Sequence, residues 1–223
     1  MISAPTLDNF TADEQRIVRR LRTPTAVQRF LNALPYNNEP PPSRATLRSF
    51  RGVVRHRTAH CIEAALAAAV ILEQHGYPPL ILSFESIDKL DHVLFVYRAR
   101  GRWGSVGRSR DPGLHGRKPV FRTARALALS YVDPYVDFTG RIVGYTVVDL
   151  GTLLREYDWR LSDQNVWKAE RVLLDAAHRP IRSSDARIDR LRRRYVQYRK
   201  EHLGRKPLYF DRTAWSAIPD LDW

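Results

Sequence analysis

Hydrophobic residues recur at helical spacing in the first part of the chain. Thr11 and Glu14 stand three residues apart, as in a capping box, and predict the start of a helix. Thr23 and Pro24 predict the start of a second helix, because proline is favoured at the first helical position. Its apolar residues recur every three or four positions: Val27, Phe30, Leu31 and Leu34. Residues 1–42 are therefore a predicted N-terminal helical segment, which ends in a run of prolines.

The hydrophobic pattern then changes from helical spacing to short apolar runs. Residues 59–74 are rich in Ala, Leu and Glu, which favour a helix; Thr58 is its predicted N-cap, and Gly76 and Pro78 predict its end. Four strands are predicted after this helix, at 79–84, 92–97, 102–106 and 142–148, with an irregular stretch at 108–140. A helix followed by a run of strands predicts an α+β core over residues 43–150.

Helical spacing returns after the last predicted strand. Ser162 and either Ser183 or Ser184 are predicted N-caps of two helices. Four aromatic residues stand among the last fifteen, so we expect the tail to pack on the body of the protein: Tyr209, Phe210, Trp215 and Trp223. Residues 151–223 are therefore predicted to form a C-terminal helical extension packed on the core.

The composition narrows the class of protein. The chain has 223 residues, of which 43% are hydrophobic and five are tryptophan, so it can bury a core and is not a disordered protein. Its single cysteine, Cys61, excludes a disulfide framework and a cysteine-based zinc finger. The longest apolar run covers residues 64–72, whereas a membrane span needs about 20 residues. Because the N-terminus also lacks a signal-peptide pattern, we expect a soluble, cytoplasmic protein with no membrane partner.

The formal net charge of +13 comes from two segments. Residues 98–125 carry a net charge of +8 and residues 182–206 carry +7, which leaves the rest of the chain near neutral. Basic segments of this kind can bind nucleic acid or an acidic substrate. They also have a compositional explanation, because 32 of the 37 basic residues are arginine, as in proteins of GC-rich genomes.

Cys61 and His92 are candidates for a nucleophile and its base. Cys61 lies in the predicted first turn of a helix, where free N–H groups and the helix dipole lower the pKa of a thiol. His92 lies at the predicted start of a strand, from which its side chain can project over the sheet edge. The alternatives are a small buried cysteine and a solvated surface histidine. The helix and the two following strands can form one compact unit, which favours a Cys–His pair.

Four segments of the chain resemble the transglutaminase-like superfamily of papain-type cysteine enzymes: TAHCIEAAL at 58–66, GYPPLIL at 76–82, DHVLFVY at 91–97 and GRW at 101–103. The resemblance covers roughly residues 43–111. It implies a papain-like core in which a central Cys-bearing helix packs on an antiparallel sheet. It also implies that Cys61 is the nucleophile, that His92 is the general base, and that an Asp after the hairpin orients the histidine.

The chain departs from this pattern at the orienting residue. The superfamily has an Asp about four residues after Trp103, where this chain has Gly107. The next carboxylate, Asp111, is the predicted catalytic Asp, although Asp-Pro-Gly is also a strong turn signal. Ser105 or Ser109 can orient His92 instead, or a third member is absent. No glutamine of the papain type precedes Cys61, so the backbone N–H of Cys61 is the predicted oxyanion donor.

Basic residues after the third predicted strand are candidates for binding substrate. Arg108, Arg110 and Arg117, together with Trp103, are predicted to bind a carboxylate-bearing substrate, since arginine holds carboxylates in bidentate fashion. The alternatives are solvated arginines and a core tryptophan. His56, His60 and Cys61 are too few for a zinc site, so we predict no metal and no cofactor.

The predicted function is cysteine-dependent hydrolysis of, or acyl transfer from, an amide or peptide bond. The substrate would be a peptide or amide that carries a carboxylate. The alternative is a catalytically silent module of the same fold, or an unrelated α+β module, that binds nucleic acid or an acidic protein through its basic segments.

Overall fold

A six-stranded antiparallel sheet forms the centre of the protein, and the computed structural model describes residues 4–39, 45–89 and 91–204. In sheet order the strands are β4 (Arg117–Phe121), β3 (Arg102–Val106), β2 (Val93–Ala99), β1 (Leu80–Ser86), β5 (Ile142–Asp149) and β6 (Arg179–Pro180). The α-helices are α1 (Ala12–Arg20), α2 (Pro24–Ala33), α3 (Phe50–His56), α4 (Cys61–Glu73), α5 (Ala124–Leu129), α6 (Val132–Tyr135), α7 (Leu150–Leu153), α8 (Trp167–Leu174) and α9 (Asp185–Glu201). Short 3₁₀ turns lie at Leu7–Asn9 and Pro112–Leu114.

One face of the sheet is covered by α4. Every α4 residue from Ile62 to Leu72 is buried, and the alanines among them let the helix lie close to the strands. Ile81, Phe95 and Tyr97 alternate along β1 and β2 and share the hydrophobic cluster of α4. Helices α1 to α3 contribute to the same cluster. The predicted α+β class, with a central Cys-bearing helix packed on an antiparallel sheet, is confirmed.

The opposite face of the sheet is covered by α5, α6 and the loop before β4. Leu82 and Leu94, which are directly paired across β1 and β2, point to this side and pack with Leu127 and Tyr131. The central strands are thus buried on both faces, which explains why they read as apolar runs rather than as alternating patterns. The loop on this face, residues 107–116, approaches the end of the sheet where β2 begins.

Two strands are missing from the sequence-based prediction. β4 lies in the stretch that was expected to be irregular, because Arg117, Lys118 and Pro119 interrupt its apolar pattern. Pro119 is tolerated because β4 is an edge strand, where one N–H faces away from the ladder. β6 has two residues, too few to give a hydrophobic pattern. The predicted N-cap of α4 is also wrong: the cap is His60 rather than Thr58, so Cys61 is the first helical residue.

The C-terminal part packs through α9. Ser184 caps this helix, one of the two predicted caps, and Ile188 and Leu191 form a small cluster with Val136. The predicted packing of the tail falls on residues 205–223, which lie outside the described residues. The predicted divisions at residues 42 and 150 stay predictions. Within the described ranges, no helix combines the length and the apolar character that a membrane crossing requires.

Candidate functional site

Cys61 stands at the N-terminus of α4, and the segment just before it is fixed in place. Tyr36 and Ala59 form a parallel β-bridge, and the backbone N–H of Asn37 donates to the Ala59 carbonyl at 3.2 Å. The backbone N–H of His60 donates to Glu63 Oε2 at 3.1 Å, as in a capping box. The half-buried thiol therefore lies beside the unpaired N–H groups and the positive end of the helix dipole.

Two histidines flank the Cys61 thiol. Burial by itself raises the pKa of Cys61, but hydrogen bonds from the side chains of His60 and His92, and the charges of both rings, lower it to about 6. The backbone carbonyl of Asp91 is a further neighbour, 4.0 Å from Sγ. A thiol with a pKa of about 6 is mostly thiolate at neutral pH and is therefore a ready nucleophile.

His92 is buried at the start of β2, and its ring contacts a backbone carbonyl. Its Nε2 lies 2.7 Å from the carbonyl oxygen of Leu114. A carbonyl accepts hydrogen bonds and cannot donate one, so this contact places a proton on Nε2 and leaves Nδ1 for the thiol. The Leu114 carbonyl thus occupies the position that an orienting carboxylate has in a Cys–His–Asp triad.

Arg117 holds the loop that carries Leu114. Its guanidinium donates to the carbonyl oxygens of Gly113 at 2.6 Å and His115 at 2.7 Å, on either side of Leu114. It also lies 4.1 Å over the ring of Tyr131. The side chain is completely buried. Arg117, predicted to bind substrate, is therefore turned into the protein, under the loop that contacts His92.

Position 107, where the superfamily pattern has an Asp, lies against the side chain of Leu94. A Cβ on Gly107 would lie 2.2 Å from Leu94 Cδ2. The backbone of Gly107 is instead paired with the buried side chain of Gln28, which donates to its carbonyl at 2.8 Å and accepts from its N–H at 2.9 Å. A side chain at position 107 would therefore require Leu94 to shift.

Asp111 belongs to the turn that leads to Leu114. Its backbone N–H donates to Ser109 Oγ at 3.1 Å, and its carbonyl accepts from the Leu114 N–H at 2.9 Å. Of the other two candidates for orienting His92, Ser109 accepts the bond from the Asp111 N–H, and Ser105 has its hydroxyl 2.7 Å from that of Tyr131. The role of Asp111 as the orienting residue stays a prediction.

A cavity of about 590 Å³ opens beside the thiol. Cys61, His60, Tyr36 and Arg110 are among its lining residues, and Lys89 adds a second basic group. The Arg110 guanidinium lies 6.0 Å over the Tyr36 ring. Carboxylates line the same cavity: Glu39, Asp91 and Glu170. The cavity therefore presents both signs of charge to whatever approaches the thiol.

The hydroxyl of Tyr36 faces the backbone of Cys61. Burial and the nearby thiol raise the pKa of Tyr36, while Arg110 and a hydrogen bond with the Cys61 backbone act in the opposite direction. Tyr36 is therefore a neutral phenol whose oxygen lies at the predicted oxyanion donor.

The other two predicted substrate-binding residues lie elsewhere. Arg108 donates to the carbonyl of Leu34 at 3.0 Å and to that of Ser109 at 3.2 Å, so it ties the loop to the end of α2. Trp103 pairs with Arg98 at the opposite end of the β2–β3 hairpin and lines a different cavity. Of the four predicted substrate-binding residues, Arg110 is thus the one that lines the cavity at Cys61.

Several groups at the site were not found by sequence reasoning. Tyr36 reaches Cys61 from a distant segment, and Leu114 contributes a backbone carbonyl, which leaves no trace in residue type. Glu63 had a readable signal, because it stands three residues after His60 in a capping-box spacing. Within the described ranges, no group of three or more His, Cys, Asp or Glu side chains is arranged to hold a metal ion.

Comparison with known proteins finds similarity in structure alone. No protein-family model matches the chain, and no curated protein matches it in sequence. Calcium-bound LapG from Legionella pneumophila has a TM-score of 0.38 at 12% identity, over 63% of this chain and 79% of LapG. Another LapG structure gives 0.36 at 11% identity, over 65% and 84%. The EGTA-treated form gives 0.37 at 12% identity, over 63% and 77%. It is a distant similarity.

Proposed function

We propose that this protein is a cysteine-dependent hydrolase or acyltransferase that acts on amide or peptide bonds. The observation that carries the proposal is the position of Cys61, at a helix N-terminus, between two histidines and at the mouth of a cavity. A thiol with a lowered pKa in an open cavity is the arrangement of a nucleophile rather than of a core cysteine. The resemblance of the surrounding motifs to transglutaminase-like enzymes supports the same class.

Each residue has a defined part in the reaction. His92 takes the thiol proton at Nδ1, and the thiolate attacks the carbonyl carbon of the substrate, whose π electrons move to the oxygen. The backbone N–H of Cys61 stabilises that oxyanion once the substrate displaces the Tyr36 hydroxyl. When the C–N bond breaks, His92 returns its proton to the leaving amine. Water or an acceptor amine then attacks the thioester and gives a proton to His92. The C–S bond breaks, the acyl product leaves, and the proton is shared again between His92 and the Cys61 sulfur.

Cys61→Ser tests the proposal. The wild-type protein is expected to turn over members of a panel of peptide amides, and the variant to lose at least about a thousandfold in rate, because a serine hydroxyl is not ionised at neutral pH. Mass spectrometry with and without an added primary amine separates hydrolysis from transfer. His56→Gln is the matched control, since His56 is exposed and lies outside the residues that line the cavity. Turnover that survives Cys61→Ser contradicts the proposal.

Arg110 supports a carboxylate-bearing substrate. It is exposed and lines the cavity at Cys61, where its guanidinium can pair with a carboxylate. Arg110→Ala is expected to raise KM about fivefold for acidic peptides and to leave neutral peptides within about twofold, since an exposed ion pair contributes up to about 1 kcal/mol. An equal effect on both classes of peptide would show that Arg110 does not select the substrate.

A second candidate function has its own observation. A second cavity, of about 930 Å³, is lined by Trp103, Arg125, His178 and Arg179, with no carboxylate among its lining residues in the described part of the chain. Arg98 lies 5.7 Å over the ring of Trp103. An aromatic and basic surface of this kind favours nucleic acid. Binding of a labelled oligonucleotide that weakens steeply with salt and with Trp103→Ala, while Cys61→Ser has no effect, would favour this function.

A further inference from the structure

His60 is the second histidine on Cys61, and its surroundings differ from those of His92. Its Nε2 lies 2.9 Å from the Thr46 carbonyl, 3.6 Å from Glu63 Oε1 and 3.8 Å from Glu39 Oε1. Two carboxylates thus lie near its Nε2 atom. Sequence reasoning considered His60 as a metal ligand, and the structure places it on the nucleophile instead.

Glu63 is a buried carboxylate with a full set of donors. It accepts from the Thr46 hydroxyl at 2.9 Å, from the Arg48 backbone N–H at 3.0 Å and from the Asn37 amide at 3.1 Å, besides the His60 N–H. Its side chain has no exposure to solvent. A carboxylate so buried is stable as an anion only with hydrogen bonds and a cation close by. His60 is such a cation, and the Arg48 guanidinium, at 4.0 Å, is the other.

The two histidines differ in the charge beside them. Both rings have a neutral carbonyl at Nε2, but His60 also has the buried Glu63 carboxylate 3.6 Å away, which favours its charged form. The pKa of His60 agrees: burial lowers it, but the hydrogen bond with Cys61 and the charge of Glu63 raise it to about 9. An imidazole that stays protonated at neutral pH cannot take a proton from the thiol, but it can stabilise the thiolate.

We propose that His60 is a second catalytic histidine, a fixed imidazolium on the Glu63 carboxylate that stabilises the Cys61 thiolate while His92 carries the mobile proton. The inference rests on the proposed function. No proton is exchanged at His60: its charge is balanced by Glu63, the thiol proton goes to His92, and His92 gives it to the leaving amine. The Cys–His–Asp triad that the resemblance implies is thus replaced by two histidines with separate roles. His60, with Glu63, stabilises the thiolate by charge, and His92 transfers the proton.

The charged groups around the pair define the pH experiment. The thiol faces His60 and His92, with Tyr36 at its backbone and Arg110 beyond Tyr36. His60 faces Glu39 and Glu63, and Arg48 Nε lies 4.0 Å from the same Glu63 oxygen. Cys61 is the single cysteine of the chain, so any thiol reaction in the full-length protein reports on this site.

The test is the pH dependence of Cys61 alkylation by iodoacetamide. His60→Gln is expected to raise the midpoint of the rate–pH curve by roughly one pH unit or more, because the fixed cation is lost. Glu63→Gln should give a shift of the same sign, and the double variant should shift no further than His60→Gln alone, since Glu63 acts through His60. His56→Gln, on the exposed end of α3, is the matched control and should leave the midpoint unchanged.

Chemical rescue separates an electrostatic role from a structural one. His60→Ala opens a space beside the cavity, and added imidazolium is expected to recover several-fold of the lost alkylation rate at pH 7, but not in His56→Ala. A midpoint for His60→Gln within about 0.3 pH units of wild type, in a variant with a native circular dichroism spectrum, overturns the proposal. The alkylation rate does not depend on turnover. If no peptide amide in the panel is turned over, the proposed function is contradicted, but the alkylation midpoint still decides the role of His60.

Discussion

Each of the two histidines is supported by a buried charged side chain, and the two side chains differ in what they contact. The Glu63 carboxylate lies under His60, and the Arg117 guanidinium lies under the loop whose Leu114 carbonyl contacts His92. Both side chains are fully shielded from solvent. Glu63 is bonded by side-chain and backbone donors and faces the imidazole itself, whereas Arg117 is bonded to backbone carbonyls and faces the loop.

The difference separates two ways of supporting a histidine beside the Cys61 thiol. Glu63 acts by its charge, because an anion beside His60 favours the imidazolium. Arg117 acts by its shape, because a planar guanidinium can hold several carbonyl oxygens of residues 113–116 at once. Removing the charge of Glu63 should therefore alter His60 without unfolding the protein. Replacing the planar guanidinium of Arg117 should alter the surroundings of His92 and cause a large loss of stability.

The largest expected effect is that of Arg117→Met. It removes the contact with Tyr131 and leaves carbonyl groups of Gly113 and His115 buried without their donor. We expect a loss of about 3–5 kcal/mol in the free energy of unfolding, measured by urea denaturation followed by circular dichroism. Arg117→Lys keeps the charge and should recover less than half of the loss, because an ammonium cannot make the same fork. Full recovery of the unfolding free energy with lysine would show that Arg117 stabilises the loop by its charge rather than by its shape.

The second largest expected effect is a loss of unfolding free energy in acid, caused by His115, which lies near His92. Burial, together with the charges of Arg108, His92 and Arg117, lowers the pKa of His115 to about 4, although a hydrogen bond with the Ser109 backbone acts in the opposite direction. Because the unfolded chain binds this proton at a pKa of about 6.5, stability falls as the pH drops from about 6.5 to about 4, by about 1.4 kcal/mol per unit. Between pH 6.5 and 4.5 the loss is about 2 kcal/mol, because the group is only half protonated in the unfolded chain at pH 6.5.

His115→Gln isolates that contribution. It removes the titrating group, so the decrease in unfolding free energy between pH 6.5 and 4.5 should be smaller in the variant than in the wild type by most of that amount. His75→Gln is the control, since the His75 ring is bonded to the Val18 carbonyl at 2.8 Å, away from the site. Equal slopes for the wild type and His115→Gln would show that His115 is not the source of the acid sensitivity.

Glu63→Gln should have a smaller effect on stability than Arg117→Met. The amide oxygen can still accept from Thr46 and from the backbone of Arg48, but the charge that pairs with His60 is lost. We expect a cost of about 2 kcal/mol, the usual strength of hydrogen bonds to a charged group, by the same urea measurement. A loss of unfolding free energy as large as that of Arg117→Met would show that Glu63 and Arg117 do not differ in how they support the two histidines.

The sequence predicted the parts of the fold that depend on local pattern. The capping box at Thr11, the proline at the start of α2 and the apolar runs of β1 and β2 are properties of neighbouring residues, and the structure contains them. The proximity of Cys61 and His92 followed from a helix and a strand that are close in sequence. The identification of Arg110 as a cavity residue followed from the basic segment after β3.

The remainder depends on contacts that residue types do not encode. The partner of His92 is a backbone carbonyl, and its position depends on a loop held by Arg117, so the arginine read from the sequence as a substrate ligand lies inside the protein. β4 was missed because its pattern is broken by charge and by Pro119, which an edge position tolerates. The neighbour of Cys61 in sequence, His60, is informative only when Glu63 is known to be buried beneath it.

The smallest expected effect is that of Asp111→Asn, which decides between the two candidate orienting groups for His92. If the Leu114 carbonyl at 2.7 Å orients the ring, the variant should keep the alkylation rate of Cys61 at pH 7 within about twofold of wild type, because the carbonyl is untouched. Glu156→Gln, on an exposed carboxylate remote from the cavity, is the matched control. If Asp111 is the third catalytic residue, the same change should lower any amide turnover by a hundredfold or more, as the loss of an orienting carboxylate does in other triads. A loss of that size, with the unfolding free energy unchanged, would return the orienting role to Asp111 and reduce the part of Arg117 to holding the loop.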